Sequence, residues 1–125
     1  MTDGNADSDS IRALTREVLR FRDAREWKQF HNPKDMAISL SLEAAELLEI
    51  MQWKNGDELA AHLAERREAV EHELADVLYW LLLISHDLEI DLGAAFVAKL
   101  SHNETKYPVE RAIGSSRKYT ELGES

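Results

Sequence analysis

Two acidic pairs stand where a helix would bring their side chains together. Glu43-Ala-Ala-Glu46 lies inside an apolar run over residues 40–51, and Glu73-Leu-Ala-Asp76 directly precedes Val77-Leu-Tyr-Trp-Leu-Leu-Leu-Ile84. Residues three apart on a helix are surface neighbours, with Cβ atoms roughly 5–6 Å apart. Each pair therefore aims two carboxylates in nearly the same direction, and opposed helices would converge all four on one small volume. Unpaired charges at that range repel, and burying them costs several kcal/mol or more each. A divalent cation relieves the repulsion, and an all-oxygen ligand set favours Mg²⁺ or Mn²⁺ over zinc. Other acidic pairs at this spacing occur, among them Asp23/Glu26, Glu46/Glu49, Glu65/Glu68, Glu68/Glu71 and Glu121/Glu124. Those over 65–71 are interleaved with Arg66 and Arg67 and read as solvated helix faces. The chosen pairs differ in their apolar flanks, a setting in which carboxylates line sites.

Mg²⁺ with open coordination positions can bind a polyphosphate, neutralise charge developing on phosphorus and lower the pKa of an attacking water. The chemistry this suggests is nucleotide polyphosphate hydrolysis. No P-loop and no G-x-S-x-G elbow is present, so phosphate binding would rest on metal and scattered cations. Lys99 and Asn103 are four apart on one predicted helix face, and Arg117 and Lys118 lie in the tail. Alone, such lysines read as solvated. Trp27 and Trp53 flank the second predicted helix, with His31 between Trp27 and its start, and could sandwich a base. They could equally plug the ends of a core, and His31 could simply hydrogen-bond the start of the helix. Tyr79, three residues after Asp76, could reach a sugar or phosphate or belong to the core.

The elements that would position these groups are helical throughout. Ser10 or Asp9 can cap a first helix over about 11–27, with Ile11, Leu14, Val18 and Phe21 as its apolar stripe. His31-Asn-Pro33 interrupts it, because the residue before proline is pushed out of the helical region. Asp35 is the expected cap of a second helix, about 36–53, closed by Lys54-Asn-Gly-Asp57 with Gly56 as its end signal. Residues 58–63 form a short helix or an early extension of the third, about 65–88. Asp91 caps a fourth, about 92–106, ended by Tyr107-Pro108. The expected fold is an all-α, four-helix bundle, with a disordered segment over 1–9, a helical domain over 10–108 and a C-terminal tail over 109–125.

The chain has 125 residues and suits one domain, burying roughly two-thirds of its unfolded surface. Its net charge of −9 opposes a role as a general nucleic-acid binder, which needs a basic surplus. There is no cysteine, hence no disulfide or thiolate chemistry. The acidic N-terminus lacks the features of a signal peptide, and no apolar run approaches the ~20 residues that span a bilayer. A soluble, cytoplasmic protein is expected. The second and third helices are more apolar than a small monomer can cover, so part of 77–84 is expected in a homo-oligomer interface, with Trp80 and Leu83 as contacts.

Taken together, Glu43-x-x-Glu46 and Glu73-x-x-Asp76 resemble the E-x-x-E…E-x-x-D signature of the MazG-like, all-α nucleoside triphosphate pyrophosphohydrolases. Within that superfamily the chain is most similar to the dCTP pyrophosphatases. The resemblance runs over about 11–122 through Trp27-Lys-Gln-Phe-His31-Asn-Pro33, Gln52-Trp53-Lys54, Lys99, Asn103 and Ser115-Ser-Arg-Lys-Tyr-Thr-Glu-Leu122. It implies Mg²⁺-dependent cleavage, Mn²⁺ being an alternative, between the α- and β-phosphates. Glu43, Glu46, Glu73 and Asp76 would be metal ligands. Trp27, His31 and Trp53 would surround base and sugar, with Tyr79, Lys99, Asn103 and Lys118 as further substrate contacts. Glu46 and Glu49 are both candidates for activating the water. It further implies a tetramer built as a dimer of dimers, with sites at subunit interfaces. Trp80 and residues 58–63 and 109–114 depart from the pattern, which bears on base preference. Alternatives are a broader-specificity NTP/dNTP pyrophosphatase and a non-catalytic helical interaction module. A di-iron bundle needs Glu-x-x-His, and none of the five histidines has a glutamate three residues before it.

Overall fold

Helix starts are written plainly in the sequence. In the computed structural model, which describes residues 10–122, Ser10 accepts a hydrogen bond from the Ala13 N–H at 3.1 Å and opens α1, Ile11–Ala24. Asn32 accepts from the Asp35 N–H at 2.9 Å and opens α2, Pro33–Met51. Then come α3, Gly56–Glu65, and α4, Arg67–Asp87, with Arg66 alone between them. Asp91 accepts from the Ala94 N–H at 3.0 Å to open α5, Leu92–Lys106, and a single turn, α6, Val109–Ala112, follows. Short 3₁₀ turns cover Lys28–Phe30 and Tyr119–Glu121. No strand occurs among the described residues, and the fold is all-α.

The packing divides the chain into two units, the first reaching Ile90 and the second beginning at Asp91. In the first, α2 lies along α4 in the most extensive helix contact, α1 packs on α4, and α3 touches both α2 and α4. Met36 of α2 and Leu82 and Leu83 of α4 form the buried apolar core. Arg22 of α1 is buried with them, and its guanidinium grips both oxygens of Asp87 at 2.8 and 2.9 Å. In the second unit the tail is tied back: Tyr119 meets Tyr107 edge-on at 6.0 Å, and the Lys106 ammonium lies 4.7 Å from the Tyr119 ring.

Several expectations shift. α1 stops at Ala24, because Glu26 takes a left-handed φ of 54° and turns the chain out of the helix before Trp27. Pro33 begins α2 rather than preceding it, since its missing N–H and fixed φ suit a first helical position; the cap is Asn32, not Asp35. Gly56, at φ 54°, turns the chain into a separate helix α3. Leu83 is wholly buried in the core of its own chain, so it is not an interface residue. Trp80 is half-buried against His31 and Tyr79 of its own chain. The fourth expected bundle helix, α5, belongs to the second unit. The expected disordered segment, 1–9, lies outside the described residues.

Candidate active site

Glu43 from α2 and Glu73 and Asp76 from α4 each place a carboxylate oxygen within 4.8 Å of the others. One oxygen of Glu43 and one of Glu73, the Oε2 of each, are buried without a hydrogen-bond partner. Burial, then Glu73, Asp76 and Glu46 nearby, push the Glu43 carboxyl up to about 7. Glu73 is also raised, chiefly by desolvation, with Glu43 acting in the opposite sense. Buried carboxylates without partners persist poorly unless a cation or a shared proton offsets their charge. An oxygen-only trio with two orphaned oxygens has the chemistry of a hard divalent-cation site.

Helix geometry decides which acids share this centre. Three residues advance a helix about 60° short of a full turn, so Glu43, Glu46 and Glu49 follow a winding line along α2, the last two at the smaller cavity that Ala69 and Glu73 of α4 also line. Glu43 is half-buried, whereas Glu46 and Glu49 are exposed. Glu46 falls outside the tight trio but is close enough to raise both Glu43 and Glu73.

Two cavities flank the carboxylates. The larger, about 550 Å³, is bounded by Glu43 and Asp76 and walled by Glu17, Val18 and Phe21 of α1 together with Trp27, His31, Tyr79 and Trp80. Its rings form an edge-to-face chain, with centroid separations of 5.8 Å for Phe21–Trp27, 6.1 Å for Phe21–Tyr79, 4.9 Å for Tyr79–Trp80 and 5.3 Å for Trp80–His31. The smaller, about 380 Å³, is lined by Glu46, Glu49, Ile50, His62, Arg66, Ala69 and Glu73. An aromatic hollow suits a planar heterocycle, and the carboxylates beside it suit a cation carrying phosphates.

The structure thus brings Trp27, His31 and Tyr79 to the acids, but not Trp53, which is 82% exposed beyond the end of α2 and lines neither cavity. Lys99 and Asn103, one turn apart on α5, and Lys118, exposed before the last 3₁₀ turn, belong to the second unit. Sequence reasoning overlooked Trp80, Phe21, Glu17 and Val18 as lining residues, and His62 and Arg66 in the smaller cavity. One signal was present: Trp80 is a single turn beyond Asp76 and must share its face.

Neighbouring helices that meet at carboxylates with orphaned oxygens beside an aromatic cavity have the design of a site that could hold a divalent cation and a planar, phosphate-bearing ligand. Residues 38–122 match the MazG-like family, and the chain belongs to it. It is a nucleoside triphosphate pyrophosphatase, so the interaction-module alternative falls away. Similar curated proteins are dCTP pyrophosphatase 1 of Homo sapiens, 39% identical, and of Rattus norvegicus, 37% identical. Each alignment covers 90% of this chain and 68% of the relative. Among solved structures, a pyrophosphatase from Archaeoglobus fulgidus matches with a TM-score of 0.73 and 45% identity, over 76% of this chain and 89% of that one.

Proposed function

We propose that the chain converts dCTP to dCMP and pyrophosphate, holding Mg²⁺, or alternatively Mn²⁺, through Glu43, Glu73 and Asp76 with Glu46 beside them. The observation that carries this reading is the pair of buried, partnerless oxygens, on Glu43 at the aromatic cavity and on Glu73 at the smaller one. When bound, the ion supplies charge neutralisation on the phosphates and a more acidic water. The chain supplies the rest. Trp27, His31, Tyr79 and Trp80 enclose the base and sugar and keep water from them. Glu46 or Glu49, both exposed at the smaller cavity, takes the proton of the water that attacks phosphorus. Lys99, Asn103 and Lys118 meet sugar or phosphate oxygens.

The choice of dCTP follows the names of the curated relatives. A broader NTP/dNTP specificity is the second reading, favoured by a wall dominated by rings, since stacking tolerates any base. The working unit in this reading is a homotetramer, a dimer of dimers. Its support is the exposed apolar stripe Leu74, Leu78 and Leu81 on α4, with Ile38 and Leu42 exposed on α2. The exposed Trp53 then has a partner surface to cover. No helix among the described residues is long and apolar enough to cross a membrane, and the proposed setting is cytoplasmic nucleotide-pool cleaning. A panel of nucleoside triphosphates with Mg²⁺, read for pyrophosphate against orthophosphate, tests the proposal. Fastest release of pyrophosphate from dCTP, abolished by chelator, is expected; orthophosphate release, or no cleavage of dCTP, overturns it.

A further inference from the structure

Arg22 is 1% exposed, and its Nε is buried without a partner. Asp87, the last residue of α4, takes both Nη groups at 2.8 and 2.9 Å. That pair alone would be an expensive way to fill a core, because apolar residues of like size often do as well or better. The guanidinium has a second neighbour. Arg22 Nη1 also lies 3.4 Å from His31 Nδ1, and His31 lines the aromatic cavity. A guanidinium has only donors, so this contact forms only when Nδ1 carries no proton. A neutral imidazole must then hold its proton on Nε2, an atom that makes no hydrogen bond among the described residues.

The geometry points to Arg22, anchored by Asp87, as a positioning residue that locks His31 in the Nε2–H tautomer, so that the ring presents a hydrogen-bond donor to an acceptor of the bound nucleoside. The step to the nucleoside rests on the function proposed above; the tautomer does not. Other groups around the ring are consistent with it. The Trp80 ring stands across the imidazole at 71°, with centroids 5.3 Å apart, and Glu17, Glu43, Asp76 and Tyr79 line the same cavity. Burial first, and Arg22 second, hold His31 below its ordinary pKa, with Asp87 acting in the opposite sense. A neutral, donor-presenting histidine suits an uncharged carbonyl or ring-nitrogen acceptor.

Long-range ¹H–¹⁵N correlation on the labelled full chain reads the tautomer directly, without nucleotide. In the parent protein, unprotonated Nδ1 and protonated Nε2 are expected for His31 at neutral pH. Arg22→Met with Asp87→Leu removes both charges together, so no stranded carboxylate is left. In it His31 should become a tautomer mixture with a higher pKa, and KM for the preferred nucleotide should rise roughly three- to tenfold with kcat little changed. Arg22→Lys keeps a donor and should restore the tautomer. A parent protein with the proton on Nδ1 overturns the inference even where the double variant fails to fold. So does a folded double variant with an unchanged His31 tautomer. If the parent protein cleaves no nucleoside triphosphate, the functional proposal fails and the tautomer result stands alone.

Discussion

Glu43 carries a carboxyl pushed up to about 7, mainly by burial and then by its acidic neighbours, and that shift has a sign. In the unfolded chain the group titrates near 4.5, so between these values the folded state binds the proton that the unfolded state has lost. Its contribution is full below about 4.5 and fades as pH rises through about 7. Metal-free protein should therefore melt at higher temperature at pH 6.5 than at pH 8. Below the ordinary histidine value of 6.5 the effect meets opposition, because His31 has a depressed pKa and costs stability as the unfolded ring takes up its proton. A divalent cation competes for the same oxygens, so its affinity, followed by calorimetry, should strengthen as pH rises through about 7. Glu43→Gln should weaken this pH dependence, leaving the part that Glu73 carries, and abolish nucleotide cleavage while leaving helicity intact. Trp80→Ala removes a wall of the cavity. Base stacking of about 1–3 kcal/mol predicts a KM increase of roughly 5- to 150-fold with a smaller change in kcat, measured by steady-state kinetics. The acids were legible because i, i+3 spacing aims two carboxylates the same way, and their apolar flanks set them apart from the solvated pairs over 65–71. Trp80 was half legible: its place one turn beyond Asp76 puts it on the acidic face, but a run apolar on every side gives no sign that this face opens on a cavity.

Among the elements, α2 shows best how a local signal fixes position. Asn32 both accepts from the Asp35 N–H and donates to the Asp35 side chain at 2.8 Å. Asn32→Ala should cost about 1 kcal/mol of stability in a urea titration. Since the cap orients the helix bearing Glu43, metal affinity should fall with it. The helices themselves were readable from apolar periodicity and punctuation, and Ser10 and Asp91 cap as expected. The ends were less so. Nothing in Glu26 announces a left-handed residue, and a glutamate at φ 54° is retained by its surroundings, not by its preference. That single turn carries Trp27 back to within 5.8 Å of Phe21. The division of residues 56–87 at Arg66 was half visible, in the short helix expected near 58–63. A helical sequence that only changes polarity gives no further sign of a break.

For the whole molecule, the two central helices leave apolar side chains uncovered, Leu78 and Leu81 within 77–84 among them, but Leu83 is not one of these. Leu83 fills the core, while Leu74, Leu78 and Leu81, spaced i, i+4, i+7 on α4, remain outside it. Helix phase separates these positions, and phase depends on which neighbour packs first. On the proposed homotetramer, Leu78→Asp should therefore lower the mass read by light scattering while keeping helicity. Leu83→Ala should instead cost about 2–5 kcal/mol at any protein concentration.

Glu43 and Glu73 also face each other across the α2–α4 contact, the broadest packing in the first unit. Mutual repulsion there loosens the seam on which the unit's cohesion rests, and the proposed ion, binding only the folded chain, would tighten it by mass action. Scarcity of divalent cations would then shorten the survival of the polypeptide against proteases as well as silence its chemistry, so that idle copies are the ones cleared first.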